Sequence, residues 1–225
     1  MNMQTLFSRR LLLAPEVCRS LIKSAPARYK KFYIPKRNGK RRLIAQPTPA
    51  IKALQLTAIN EFLSKVPIHS AATAYMKGSG IKSNAQQHVS NQYILKLDFK
   101  NFFHSIIPDD LDILNLENFC NLTTDDITLL KLLFFWKPKK YFPYSCLSIG
   151  APSSPFLSNN IMYSFDSIVY NLCCKENAIY TRYSDDITTF YINQYFQDLL
   201  ITSKTNKKIP LLEWSKGRFN NIKIA

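Results

Sequence analysis

The stretch "YTRYSDDITTF", residues 180–190, sets Asp185 beside Asp186 between two runs of aromatic and β-branched residues. Like charges at contact distance repel, so adjacent carboxylates at the end of an apolar strand need a reason. One reading is a solvated turn, because Asp and Ser are favoured turn residues and Ser184 precedes the pair. The other reading brings in a third acid. "QYILKLDF", residues 92–99, ends on Asp98 and Phe99 after a run of alternating character. If the two stretches are neighbours, three carboxylates converge and raise one another's pKa unless a divalent cation sits among them. Mg²⁺ takes hard oxygen ligands, and two such ions about 3.5–4 Å apart activate a hydroxyl and stabilise the leaving oxygen in an in-line displacement at phosphorus.

That chemistry depends on the elements that carry the acids. Residues 92–99 read as a strand, with Tyr93, Leu95, Leu97 and Phe99 on one face and Ile94, Lys96 and Asp98 on the other. "NFFHSI" then makes a short turn or helix that leaves Phe102 and Phe103 close above the Asp98 carboxylate. Residues 179–191 read as a hairpin: Ile179–Tyr183 ascends, Ser184–Asp186 turns with both acids exposed at the tip, and Ile187–Tyr191 returns. Upstream, residues 3–24 read as one helix on Leu6, Leu13, Val17 and Leu21, ending before Pro26. "KFYIPKRNGKRRLIAQP" reads as a β-hairpin turning at Asn38-Gly39. Ala50 to Leu63 reads as a helix on Ile51, Leu54, Leu56, Ile59 and Phe62, and "KGSGIKSNAQQH" as a glycine-hinged loop entering another. Residues 109–136 are expected to be helical, with acids suited to the N-terminal dipole. A glycine-proline loop at Gly150 leads into a long helix from about Ser154, with Pro155 in its first turn.

A chain of 225 residues that is 46% hydrophobic can bury one substantial core or two small ones. Its longest apolar run, "ITLLKLLFFW", contains Lys131 and is too short to span a bilayer, so no membrane partner is expected. The N-terminal stretch lacks the apolar core of a signal peptide. Five cysteines without a C-x-x-C pair, and three histidines without metal-site spacing, fit thiols in a reducing cytoplasm. Thirty Lys and Arg against fifteen Asp and Glu leave a charge of +15. Arg28, Lys30, Lys31, Lys36, Arg37, Lys40, Arg41 and Arg42 crowd one acid-free stretch, with Tyr29, Phe32 and Tyr33 between them. Seven acids fall within residues 98–126. A basic hairpin interleaved with aromatics points to nucleic acid rather than to a membrane surface.

Five stretches in order resemble bacterial retron-type reverse transcriptases. "IPKRNGKRRLIAQP" is similar to the family's first fingers motif, and "AYMKGSGIKSNAQQH" to the segment with an N-A-x-x-H signature. "LKLDFKNFFHSI", "GAPSSPFLSN" and "YTRYSDD" are similar to polymerase motifs A, B and C. The resemblance covers about Arg28 to Phe190 and implies an α+β fold: a right-hand polymerase palm, a small antiparallel sheet backed by helices, with a fingers lobe and no thumb. It divides the chain into an N-terminal helical segment 1–27, fingers 28–91, palm 92–191 and an unmatched tail 192–225.

Residue by residue, the resemblance implies that Asp98, Asp185 and Asp186 are catalytic and hold two Mg²⁺ ions, with the Phe99 carbonyl as a further ligand. It gives Lys36, Arg42, Phe103 and Gly150 to the incoming dNTP, Phe103 as the ring that excludes a 2′-hydroxyl and Gly150 for close backbone approach. Asn84 and His88 would touch RNA or, alternatively, pack and cap. The implied activity is RNA-directed DNA polymerisation from a primer 3′ end or an RNA 2′-hydroxyl on a structured non-coding RNA. The product is RNA–DNA, and the setting is anti-phage defence alongside effector proteins. Departures are Ser184 where most relatives carry Ala, and Ser148-Ile149 before Gly150 where many carry Pro-Gln. Residues 192–225 match neither further palm strands nor a thumb, so the chain is expected to be truncated or frameshifted, or to take its clamp from another polypeptide. The alternatives are a non-catalytic nucleic-acid-binding remnant, and a group II intron maturase or abortive-infection polymerase.

Overall fold

In the computed structural model, which describes residues 3–36, 39–90, 94–138, 144–190 and 222–224, the chain divides into two compact units. One is Met1–Pro67 with Phe103–Ile161, the other Ile68–Phe102 with Met162–Ala225. The elements run α1 (Met3–Leu11), α2 (Pro15–Ser24), β1 (Tyr29–Pro35), β2 (Arg41–Pro47), α3 (Pro49–Glu61), α4 (Ile81–Gln86), β3 (Ile94–Phe99) and α5 (Phe102–Ser105). There follow α6 (Leu116–Cys120), α7 (Thr124–Phe134), α8 (Ser153–Ile161), α9 (Tyr163–Lys175), β4 (Tyr180–Tyr183), β5 (Asp186–Phe190) and β6 (Ile222–Ile224). Both sheets are antiparallel and helices accompany each, so the fold is α+β, as expected from the sequence.

Local residue chemistry cuts the helices of the first unit shorter than their periodicity suggests. The single helix expected over 3–24 is two, because Leu12 takes φ 54° and Pro15 opens α2, where its ring is tolerated but bars continuation from α1. Its buried residues are Met3, Phe7, Cys18 and Ile22 rather than the leucines and Val17. The stretch 109–136 is likewise not one helix. A 3₁₀ turn over Pro108–Leu114, α6 and α7 are separated by Asn115 and Asn121 at φ 47° and 53°, in the left-handed region that Asn tolerates. The acids cap these short pieces: Asp110 Oδ2 accepts the Ile107 N–H at 2.9 Å, and Thr123 and Asp126 form a capping box on α7. The basic hairpin does form, with Ile34 opposite Arg42, while Arg37 and Asn38 of its turn lie outside the described residues. Its inner end packs Ala45, Tyr29 and Leu43 with Trp136 and Cys146. On α3, Leu56 is exposed, and the buried Gln55 instead donates to the Leu133 carbonyl at 2.9 Å and the Tyr29 hydroxyl at 3.0 Å.

In the second unit the strand order is β4-β5-β3-β6. β3 alternates as its sequence indicates: Leu95, Leu97 and Phe99 are buried, Ile94 and Lys96 are exposed and Asp98 is half-buried, while Tyr93 lies outside the described residues. Helix α9 supplies Phe165, Val169 and Cys173 at four-residue spacing, with the Phe165 ring edge-on to Phe99 at 5.5 Å. The long helix expected from Ser154 is interrupted at Met162, whose ψ of −2° ends α8 before α9 begins. β6 adds a strand that the sequence reading did not contain; three residues give no alternation to read. Among the described residues no helix is long and apolar enough to cross a membrane.

Candidate active site

Asp98 and Asp186 face each other. In the antiparallel register of β3 and β5 they are direct partners, and the Phe99 N–H donates to the Asp185 carbonyl at 3.1 Å. That bond marks Asp98 and Asp186 as a non-hydrogen-bonded pair, whose Cα atoms stand about 4.5 Å apart with side chains on one face. Asp185 is the second residue of the two-residue loop joining β4 to β5, and Ser184, the first, takes φ 61°, as the tight hairpin loop requires. The acids are half-buried rather than exposed at a tip, and Asp186 is the first residue of β5 rather than part of the turn. Like charges directly opposite in a sheet destabilise it. An oxygen-only donor set of three carboxylates suits a hard divalent cation, although among the described residues no three acidic, His or Cys side chains close into a ready-made metal-binding group. What the backbone register sets is Asp98 opposite Asp186, with Asp185 one residue earlier on the loop.

Beneath this face lies a buried ionic cluster that the sequence reading missed. Arg182 and Asp166 are fully buried and form two hydrogen bonds, Nη2 to Oδ2 at 2.7 Å and Nε to Oδ1 at 2.8 Å, while the Tyr180 hydroxyl donates to Oδ1 at 2.6 Å. Burial is the largest single influence on Arg182 and would lower its pKa, but the Asp166 charge, the hydrogen bonds to Asp166 and the neighbouring Tyr180 together outweigh it and raise it. A further guanidinium N–H reaches the Ser184 carbonyl at 2.9 Å, tying the cluster to the acid-bearing loop. An arginine inside an otherwise apolar strand was the available signal, since such a charge needs a buried partner.

The segment 71–88 braces the other side of β4. The Arg182 N–H donates to the Ala71 carbonyl at 2.8 Å, and the Thr73 N–H to the Arg182 carbonyl at 2.9 Å. The Tyr75 hydroxyl lies 2.9 Å from Ser184 Oγ. The two residues expected to touch RNA are turned into this brace. His88, 3% exposed, places Nε2 2.8 Å from Thr181 Oγ1, and Asn84 Oδ1 accepts from the Thr73 hydroxyl at 2.7 Å. Each therefore has a hydrogen-bond partner within this unit. Phe102 stacks on Phe99 at 5.6 Å, on the face opposite Asp98, and not above the carboxylate.

The other implied residues belong to the first unit. Lys36 and Arg42 are exposed on the basic hairpin, the Lys36 N–H donating to the Lys40 carbonyl at 2.7 Å. Phe103 is half-buried in α5. Gly150 sits at φ 120°, and a Cβ there would come within 2.9 Å of Ile44 Cγ2 and 3.1 Å of the Ala45 carbonyl oxygen. Its lack of a side chain is thus required by packing on β2, where the Ala45 N–H bonds the Ile149 carbonyl at 2.8 Å.

Residues 34–213 match the family model described as reverse transcriptase (RNA-dependent DNA polymerase). The retron Ec83 reverse transcriptase of Escherichia coli is 43% identical over 210 residues, covering 91% of this chain and 66% of its own length. The retron Ec73 reverse transcriptase of the same organism is 37% identical over 192 residues, covering 82% of this chain and 58% of its own. The chain thus spans less than two thirds of the length of these curated relatives. A solved structure of telomerase from Candida albicans with a fragment of telomeric RNA aligns at a TM-score of 0.49 and 14% identity, covering 88% of this chain and 42% of that one.

Proposed function

Because the chain belongs to the reverse transcriptase (RNA-dependent DNA polymerase) family, we propose that it is an RNA-directed DNA polymerase of a retron. It extends a primer 3′ end, or an RNA 2′-hydroxyl, with dNTPs on a structured non-coding RNA. The observation that carries this reading is the direct opposition of Asp98 and Asp186 with Asp185 on the adjoining loop. Asp98, Asp185, Asp186 and the Phe99 carbonyl would hold two Mg²⁺ ions. When bound, these supply Lewis acidity that lowers the pKa of the attacking hydroxyl and offsets charge on the departing pyrophosphate. The protein's own part is to keep carboxylates of like charge on one sheet face, so that a divalent cation is the favourable neutraliser. Lys36 and Arg42 are proposed to contact the triphosphate, Phe103 to exclude a 2′-hydroxyl, and Gly150 to let backbone approach the nucleotide. In this reading residues 28–91 serve as fingers and 92–191 as palm. Five free thiols support a reducing, cytoplasmic setting. The place in anti-phage defence, with effector proteins, rests on the resemblance to retrons alone.

Primer extension on an RNA template with Mg²⁺ tests the proposal by comparing the native chain with Asp185→Asn. The expected result is dNTP incorporation by the native chain and loss of at least about a hundredfold in the variant, the scale of removing a key electrostatic stabiliser. RNA binding without metal-dependent incorporation by the native chain would instead favour the binding-only role.

A further inference from the structure

Seven described residues other than glycine adopt φ between 47° and 64°. Four of them are asparagines, which enter the left-handed region readily. Of the remaining three, Leu12, Tyr75 and Ser184, two are hydrogen-bonded to each other: the Tyr75 hydroxyl and Ser184 Oγ are 2.9 Å apart. An aromatic residue in this conformation is a genuine outlier that the surroundings must impose. Burial does not impose it, because Tyr75 is 50% exposed.

What imposes it is the path of the chain. Residue 72 bridges residue 182 in parallel, with hydrogen bonds from the Arg182 N–H to Ala71 and from the Thr73 N–H to Arg182. The segment therefore runs alongside β4 and delivers Tyr75 to the β4–β5 loop. There Ser184 is gripped twice. Its carbonyl accepts from the buried guanidinium of Arg182 at 2.9 Å, and its hydroxyl pairs with Tyr75. Asp185 follows directly on the loop and Asp186 opens β5, so the left-handed setting of Ser184 directs the turn that carries Asp185 into the strand.

We propose that Tyr75 is a positioning residue for the acid-bearing loop: its hydroxyl clasps Ser184 and holds the strained conformation from which Asp185 and Asp186 project. The consequence for catalysis rests on the polymerase reading above; the clasp itself does not. Burial raises the pKa of the Tyr75 hydroxyl, so it remains a neutral partner at neutral pH.

The test uses the full chain and Tyr75→Phe, Ser184→Ala and the double variant. Hydrogen exchange of peptides covering residues 180–190 reads the clasp. Each single variant is expected to speed exchange about three- to tenfold, the scale of one lost hydrogen bond, and the double variant no more than either single. Primer extension reads the consequence. In Tyr75→Phe, kcat falls by a similar factor and the Mg²⁺ concentration for half-maximal rate rises, while KM for dNTP and the melting temperature stay near native. Unchanged exchange in Tyr75→Phe, or losses that multiply in the double variant, would overturn the clasp. Faster exchange with native kcat and Mg²⁺ dependence would overturn its positioning role. If the native chain incorporates nothing, the polymerase reading falls, and the exchange measurement alone decides the clasp.

Discussion

At the scale of single residues, a motif position often has a packing constraint of its own within the fold. Gly150 is the clearest case. Its φ of 120° and the closeness of Ile44 and Ala45 forbid a Cβ on grounds internal to the first unit, whatever else approaches it. Gly150→Ala is therefore expected to destabilise the protein by about 1–3 kcal/mol, read as a lower urea midpoint at unchanged slope. His88 shows the same inward turn and carries a pH signature. Burial pulls the pKa values of His69, His88 and His104 below the ordinary 6.5, so folding favours the neutral form of each. Between the folded value and 6.5 the unfolded state binds more protons, so stability is complete above that window and falls as pH drops through it. The melting temperature should decline from pH 7.5 to 5.5, and His88→Gln, which keeps a polar group near Thr181, should flatten the decline.

At the scale of elements, the sheet around the acids was legible and the helices less so. The alternation of β3 fixes which face Asp98 takes, and Asn38-Gly39 marks the hairpin between β1 and β2. Helix boundaries failed where local residues overrode a period: Met162 carries no signal of a break, while Pro15, Asn115 and Asn121 carry one that apolar spacing hid. The buried ionic cluster was missed for another reason, since its partners, Asp166 and Arg182, are sixteen residues apart and meet only when α9 packs on the sheet. Their burial makes a sharp expectation. Replacing either partner alone, as in Asp166→Leu or Arg182→Met, strands a charge in the core and should cost about 3–5 kcal/mol, while replacing both together should cost clearly less than the sum. Chemical denaturation of the three variants measures this. Equal additivity would mean that the pair contributes nothing as a pair.

At the scale of the whole chain, charge is the dominant feature, and it is not spread evenly. Of a net +15, eight cations fall within residues 28–42, and Lys36 and Arg42 are exposed on the hairpin they form. Acids elsewhere in the first unit are engaged in capping or in ion pairs of their own, such as Glu61 with Arg10 at 2.7 Å and Asp112 with Lys131 at 2.8 Å. A cationic surface of this kind gathers counterions, and a bound polyanion releases them. The proposed RNA partner should therefore bind with an affinity that falls linearly with the logarithm of salt concentration. If about six to ten phosphates are neutralised, raising monovalent salt from 50 to 200 mM weakens binding roughly 10³–10⁵-fold. Lys36→Gln and Arg42→Gln should each reduce the magnitude of that slope by about one and weaken binding similarly across RNA sequences, because phosphate contacts carry no sequence information. Asp185→Asn should leave the slope nearly unchanged, which separates charge that gathers the substrate from charge that holds the metal. Fluorescence anisotropy of a labelled RNA across a salt series reads all three variants. An affinity insensitive to salt, or a slope untouched by the hairpin variants, would place RNA binding away from the hairpin.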